Sequence, residues 1–294
     1  MILPAIQTDG IRFIEAGTAK TFPYVGASDF ALFRRWLMPS GPSALVEPRL
    51  AEWRQLAQEG GYDGPIVLRV FRYAASWNQF GITDPWSYDF AEITYFTEFC
   101  RARGFYVSWT CGDSQVVCPE QNGPRGQQEH LNRTCAALVP TFAFLQTCNE
   151  PFKNGIDIAA VVPPAWGSYL RETGAYGEVG SWPPPVLDFV TYHGDRTIDY
   201  PRWPKTIHDM PVQASVLNAM HGKPAVLNEP LRAEHGSDPE WYERMGLLVA
   251  FCAGVTFHSQ RGRDGDGFDA SAGNQRACAV GFFRGIASGI RLVV

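Results

Sequence analysis

Short apolar runs alternate with longer segments of helical periodicity along most of this chain. Runs at 24–28, 65–71, 105–109, 142–148, 186–192, 223–227 and 254–258 have the length and the β-branched or aromatic content of buried strands. Between them, apolar residues recur at helical spacing over 48–59, over 88–103 (Phe90, Ile93, Phe96, Phe99), over 127–138, and over 241–252 and 275–287, with a shorter helical stretch at 212–220. Strand followed by helix, repeated, is the pattern of a parallel α/β fold. With 177–182, a poor strand by propensity, taken as the fifth, the count is eight strands with eight crossovers, a (β/α)8 TIM barrel. Residues 11–14 and 21–24 bracket a Gly-Thr turn and read as a short N-terminal hairpin closing the barrel bottom.

Composition narrows the picture. With 294 residues, 45% hydrophobic and 13% aromatic, the chain can bury one large core, and a single barrel domain over 1–294 is the expected organisation. Pro183-Pro184-Pro185 reads as a rigid loop inside that domain, because the alternation resumes directly after it. The net charge of −5, without any lysine or arginine run, excludes the electrostatic footprint of a nucleic-acid binder. The segment from Met1 to Gly10 has neither a basic start nor a signal-length apolar stretch, and no later segment approaches membrane-spanning length. No leader and no membrane partner are therefore expected, and location stays open between the cytoplasm and export by a route the chain does not display. The seven cysteines form an odd set without a Cys-x-x-Cys pair, which points to buried thiols, although Cys111 and Cys118 flank one loop where a bridge could form.

The chemistry concentrates in a repeated tripeptide. Asn149-Glu150-Pro151 and Asn228-Glu229-Pro230 each end a short apolar run. A buried run carries its last residue to the sheet rim, and proline, which cannot donate to the ladder, holds the preceding residue extended. By strand count Glu150 ends the fourth strand and Glu229 the seventh, so the two carboxylates are expected to face one cavity. Two carboxylates across a cavity are what glycosidic bond cleavage needs, since one delivers a proton while the other attacks or activates water.

Glutamates at the ends of strands four and seven, the first preceded by asparagine, resemble clan A of the glycoside hydrolases, the retaining group that includes family 5 cellulases and mannanases. The resemblance implies that Glu150 is the acid/base, that Asn149 holds the sugar 2-hydroxyl, and that Glu229 is the nucleophile. It further implies that Arg69, on strand two, is the arginine these barrels place beneath the nucleophile. Such a pair wants carboxyl oxygens about 5 Å apart, one protonated and one ionised. A cation near Glu229 favours its charged form, while apolar Phe152 and Cys148 beside Glu150 raise its pKa by desolvation. The family's strand six commonly ends in histidine followed two residues later by tyrosine. Here Tyr192 and His193 are candidate substrate contacts, but Asp195 stands at that tyrosine's position. Strand eight offers Phe257 or His258 in place of the family's tryptophan floor, and Asn228 has no counterpart in the family pattern. The expected activity is endo-acting, retaining cleavage of a β-linked oligo- or polysaccharide by a monomer or weak homo-oligomer, with no cofactor and no metal.

Other features fall around this reading. Trp77, Trp86, Trp109, Trp182 and Trp203 follow strands or sit in loops; Trp109 and Trp182 are the expected stacking platforms for sugar rings, although a tryptophan taken singly is more often packing. Trp36, Trp53, Trp166 and Trp241 lie in helical contexts and read as core. The loop bearing Asp264, Asp266 and Asp269 fails the calcium-loop template, having Phe268 at the fifth position and no glutamate at the twelfth. The six histidines lack the His-x-His spacing that a metal-dependent hydrolase on this barrel would need. The rival from another class is a non-catalytic glycan-binding or structural barrel, such as an assembly or host-attachment component.

Overall fold

Why these residues form a barrel is clearest from two neighbouring strands. In Ile66–Phe71 and Phe105–Thr110, Ile66, Leu68, Val70, Phe105, Val107 and Trp109 join one core cluster, while Val67 and Tyr106 join another. The period of two thus divides the strands into a helix-facing side and an inner side. The inner side changes character along the strand. Val67 and Tyr106 are followed by Arg69, Ser108 and Thr110, so the interior runs from apolar at the strand starts to polar at the strand ends.

The computed structural model describes residues 3–72, 89–112, 123–149, 151, 161–164, 169–172, 175–176, 187–193, 222–229, 238–258 and 274–293. The chain begins with an antiparallel hairpin of β1 (Ile6–Asp9) and β2 (Arg12–Glu15), turned at Gly10 with φ of +55°. The expected partner of 11–14 was 21–24. That pairing is reduced to one bridge, Ile14 with Thr21, because β1 occupies the ladder of β2 and residue 24 already starts the barrel.

The parallel strands are β3 (Tyr24–Ser28), β4 (Ile66–Phe71), β5 (Phe105–Thr110), β6 (Phe144–Gln146), β7 (Leu170–Glu172), β8 (Ala175–Tyr176), β9 (Val190–His193), β10 (Ala225–Glu229) and β11 (Gly254–Phe257). They bond in the order β7-β6-β5-β4-β3-β11-β10-β9-β8. β7 pairs with β6 and β8 with β9, so these two pieces together act as the fifth barrel strand, and eight parallel strands form a nearly closed (β/α)8 barrel. The fifth strand therefore begins earlier than expected. Residues 177–182, and the helix expected at 212–220, lie outside the described residues.

The helices are α1 (Leu32–Leu37), α2 (Glu47–Glu59), α3 (Ala91–Ala102), α4 (Gly123–Leu138), α5 (Pro239–Leu247) and α6 (Gln275–Val293), with a π-helical turn at Pro42–Val46. Asp238 caps α5 by accepting from the Glu240 amide at 2.9 Å, and Pro239 follows at the first helical position. α5 and α6 touch backbone to backbone. A Cβ at Gly246 would strike Phe282 O, and one at Gly285 would strike Glu243 O. Asp29, just past β3, accepts from Trp53 Nε1 at 3.1 Å and pairs with Arg49 Nε at 3.3 Å, which ties α2 to the end of the first strand.

The floor of the barrel is aromatic. Phe13 and Phe22 from the N-terminal segment meet Tyr24, Tyr106, Phe142, Phe144 and Phe189, with ring centroids 5.0 Å apart for Tyr24 and Phe144 and 5.6 Å for Phe13 and Phe144. The hairpin thus plugs the end at which the strands start and leaves polar chemistry to the other end. Among the described residues no helix is long and apolar enough to cross a membrane.

Candidate active site

Above the aromatic floor, the inward positions are polar and almost wholly removed from solvent: Ser28, Arg69, Ser108, Thr110, Gln146, Glu172, Thr191, Asn228 and Thr256. Burying a guanidinium and a carboxylate costs several kcal/mol each unless hydrogen bonds replace water. Arg69 Nη2 donates to Asn149 Oδ1 at 2.8 Å and to Gln146 Oε1 at 3.1 Å, and its Nε reaches the same Gln146 oxygen at 3.3 Å. Thr110 Oγ1 donates to that oxygen as well, at 2.7 Å. One amide oxygen therefore organises three donors from β4 and β5. The guanidinium also lies 5.2 and 5.3 Å from the Phe71 and Phe30 ring centroids.

On the other wall, Glu172 closes β7 and is fully buried. Thr191 Oγ1 donates to its Oε1 at 2.7 Å, and its backbone carbonyl accepts from Thr147 N at 2.9 Å and Thr147 Oγ1 at 3.0 Å. The cation and this anion act in opposite directions on the Tyr24 phenol. Burial pushes Tyr24 up to about 12, with the Ser108 hydrogen bond and then Arg69 opposing the rise and Glu172 adding to it.

The nominated residues separate into groups. Arg69 and Asn149 are brought into direct contact, with Asn149 held further by its amide on Gly112 O at 2.7 Å. Glu229 is the last residue of β10, and its ladder partner is His193, the last of β9. Glu150 and Trp182 lie outside the described residues, as do Trp77, Trp86, Trp166 and Trp203. His258 follows β11, is fully buried, and lies 5.3 Å from the Phe30 ring.

Three expectations need correction. Trp109 is not a platform: it faces the helices, fully buried, 4.8 Å from the Phe33 ring and 5.5 Å from Phe96, with Nε1 donating to Thr97 Oγ1 at 3.0 Å. Its parity decides this, since Ser108 and Thr110 on either side point inward. Phe257 likewise packs on the helix side against Trp53, Tyr242 and Phe282. Tyr192 alternates with inward Thr191 and packs, partly buried, against the helix-side core.

Gln146, Glu172 and Thr191 are site residues that the motifs do not nominate. Gln146 carries a signal, a long polar side chain inside an apolar strand run, four residues before Glu150. Cys148 is fully desolvated, and burial holds its thiol protonated far above the usual range, with the Glu172 carboxylate adding to this. That makes it packing and not a nucleophile. Cys111 is likewise a free, buried thiol. Among the described residues no group of three or more His, Cys, Asp or Glu side chains could hold a metal ion.

No protein-family model matches the sequence, and no curated protein matches it. Solved structures do. A glycoside hydrolase family 5 mannosidase from Rhizomucor miehei superposes with a TM-score of 0.62 at 12% identity, over 100% of this chain and 99% of that one. A β-glucanase from Saccharophagus degradans gives 0.54 at 11%, over 98% and 94%. A family 113 β-1,4-mannanase gives 0.50 at 10%, over 90% and 98%. At these identities the likeness is one of fold. The polar end of the interior lies where the strands finish, the end at which such barrels carry their sites, and the chain has the barrel architecture of glycoside hydrolase family 5 and related clan A enzymes.

Proposed function

We propose that this chain is a retaining glycoside hydrolase, a single domain over 1–294, that cleaves within a β-linked glycan. The observation that carries the reading is the 2.8 Å bond from buried Arg69 to Asn149, the residue before Glu150, in a barrel shared with mannosidases and a glucanase. Arginine only donates, so Asn149 must turn its oxygen to Arg69 and present its NH2 outward, where it can donate to a sugar hydroxyl. Glu150 follows directly and protonates the departing glycosidic oxygen. Glu229, at the end of β10, attacks the anomeric carbon and forms a glycosyl ester. Glu150 then takes a proton from water, which displaces Glu229 and returns both carboxyl groups to their starting states.

The test is a panel of β-linked glucans, mannans and xylans offered to wild type, Glu150→Gln and Glu229→Gln. Each substitution is expected to lower kcat by about 10²–10⁴-fold or more, and azide is expected to restore turnover to Glu229→Ala. Wild type that hydrolyses nothing on the panel, yet binds a glycan, would replace this reading by the non-catalytic one.

A further inference from the structure

One junction of the barrel is built unlike the others. The fifth strand meets the fourth through β7, where Leu170, Arg171 and Glu172 pair with Phe144, Leu145 and Gln146. It meets the sixth through β8, where Ala175 and Tyr176 pair with Thr191 and Tyr192. Among the described residues no ladder joins β7 itself to β9.

Alternate residues of a parallel strand turn their backbone groups to opposite neighbours. Leu170 and Glu172 direct theirs to the fourth-strand side, with Leu170 N donating to Ala143 O at 3.1 Å and Glu172 O accepting from Thr147 N at 2.9 Å. Arg171 therefore faces β9. Its carbonyl accepts from Asp188 N at 3.0 Å and Phe189 N at 3.3 Å. Its amide donates to a side chain, Asp188 Oδ2, at 2.9 Å. The Asp188 carboxylate thus stands where a neighbouring strand would offer a carbonyl. It also takes Arg171 Nε at 2.8 Å and Nη2 at 3.1 Å. One residue along, Thr191 Oγ1 donates to Glu172 Oε1 at 2.7 Å.

This junction is also the less buried one. Leu170 and Arg171 are only partly buried, and the Arg171 and Asp188 side chains are 18% and 24% exposed, whereas every residue of β4 and β5 is buried. Apolar packing secures those two strands, while β7 depends on charge-assisted bonds that water and salt can reach.

We infer that Asp188 is a latch: its carboxylate replaces a ladder acceptor for β7, and the barrel opens between its fifth and sixth strands ahead of the junctions around β4 and β5. Opening there parts Glu172 from Thr191, so one wall of the polar interior is held by the ion pair beside it. The inference goes beyond the glycosidase reading and does not depend on it.

The experiment is amide hydrogen exchange, resolved by residue on the full chain in water and in urea too dilute to unfold it. In wild type, the amides of Asp188 and Phe189 are expected to exchange at least about tenfold faster than those of β4 and β5, and with a weaker dependence on urea, the mark of a local opening. Asp188→Ala keeps both of these amides' acceptor, Arg171 O, and is expected to speed their exchange by about a further 10- to 100-fold. Asp188→Asn, of the same shape without the charge, is expected to fall between the two. Exchange at 188 and 189 with the rate and urea dependence of β4 and β5 would overturn the inference, because the junction would then open only with the whole barrel. An Asp188→Ala protein that exchanges there as wild type does, or Asp188→Asn that matches wild type, would equally sink it. If Asp188→Ala fails to fold, Arg171→Met removes the same ion pair, leaves the backbone bonds, and is held to the same two outcomes.

Discussion

Gln146→Leu removes the one oxygen on which Arg69 Nε, Arg69 Nη2 and Thr110 Oγ1 converge, at 3.3, 3.1 and 2.7 Å. Leucine fills nearly the same volume, so the change is electrostatic before it is steric. A hydrogen bond to a charged group contributes about 1.5–3 kcal/mol, and leaving the buried Thr110 hydroxyl orphaned costs about 1–3 kcal/mol. The expected loss is therefore about 3–5 kcal/mol, a large part of a typical 5–15 kcal/mol stability. Urea denaturation followed by tryptophan fluorescence measures it. Catalysis is expected to fall by about 10- to 100-fold in kcat/KM, because Arg69 also holds Asn149 and small displacements of a positioning group are costly. Gln146→Glu is the informative partner. It keeps an acceptor of the same shape, so most of the stability returns, but its charge offsets that of Arg69. On the retaining mechanism proposed above, with Arg69 beneath the nucleophile, offsetting that cation raises the nucleophile's pKa and moves the acid limb of the kcat/KM profile to higher pH. A Gln146→Leu protein within about 0.5 kcal/mol of wild type, the range of an inert surface change, would refute the claim that this oxygen organises the site.

Two further outcomes follow from the same interior. His130, nearly fully buried beside the Phe90 ring, has its pKa depressed to about 2, by burial first and then by Arg72 and Arg133. Its folded value lies below the unfolded value of about 6.5, so its contribution is present above that pH and is lost as pH falls toward 2, at up to about 1.4 kcal/mol per pH unit. Between pH 7 and 5, wild type is expected to lose about 2 kcal/mol more than His130→Gln, read from urea midpoints at each pH; parallel losses would mean that His130 protonates freely in the folded state. At Gly26, an added Cβ would overlap Thr256 Oγ1 and come within 2.9 Å of Thr256 Cβ across the barrel wall. Gly26→Ala is expected to cost about 1–3 kcal/mol, with Thr256→Ala recovering part of it in a double-mutant cycle, and strict additivity would show that the two positions do not meet.

Much of this architecture is legible in the sequence, and the failures have physical causes. Strands one to four and six to eight announce themselves by apolar runs, and each lies within or beside its expected span. The fifth does not, because Leu170–Glu172 is held by charge and not by apolar content. Arg171 donates from its backbone amide to Asp188 Oδ2 at 2.9 Å and from Nε to the same oxygen at 2.8 Å, a link between neighbouring strands that no propensity scale records. Trp109 departs from expectation for a different reason. Position at a strand end suggests the rim, whereas alternation decides the face, and the polar residues at 108 and 110 already imply that 109 turns outward.

The paired Asn-Glu-Pro strings carry the same lesson further. Identical residues at 149–151 and 228–230 meet different ladders, and the ladder assigns the work. At the first copy the strand has already ended at Gln146, so Asn149 is free of sheet register; its amide bonds Gly112 O and its side-chain oxygen receives Arg69. At the second copy the strand continues through Glu229, so register persists and an extra residue can shift it. The side chain of Asn149 therefore answers to Arg69 and not to a ladder, whereas position 229 stays level with His193. The distinction lies in hydrogen-bond partners up to 80 residues away in sequence, 69 for 149 and 193 for 229, which is why a local motif could nominate both glutamates but could not say how each is aimed.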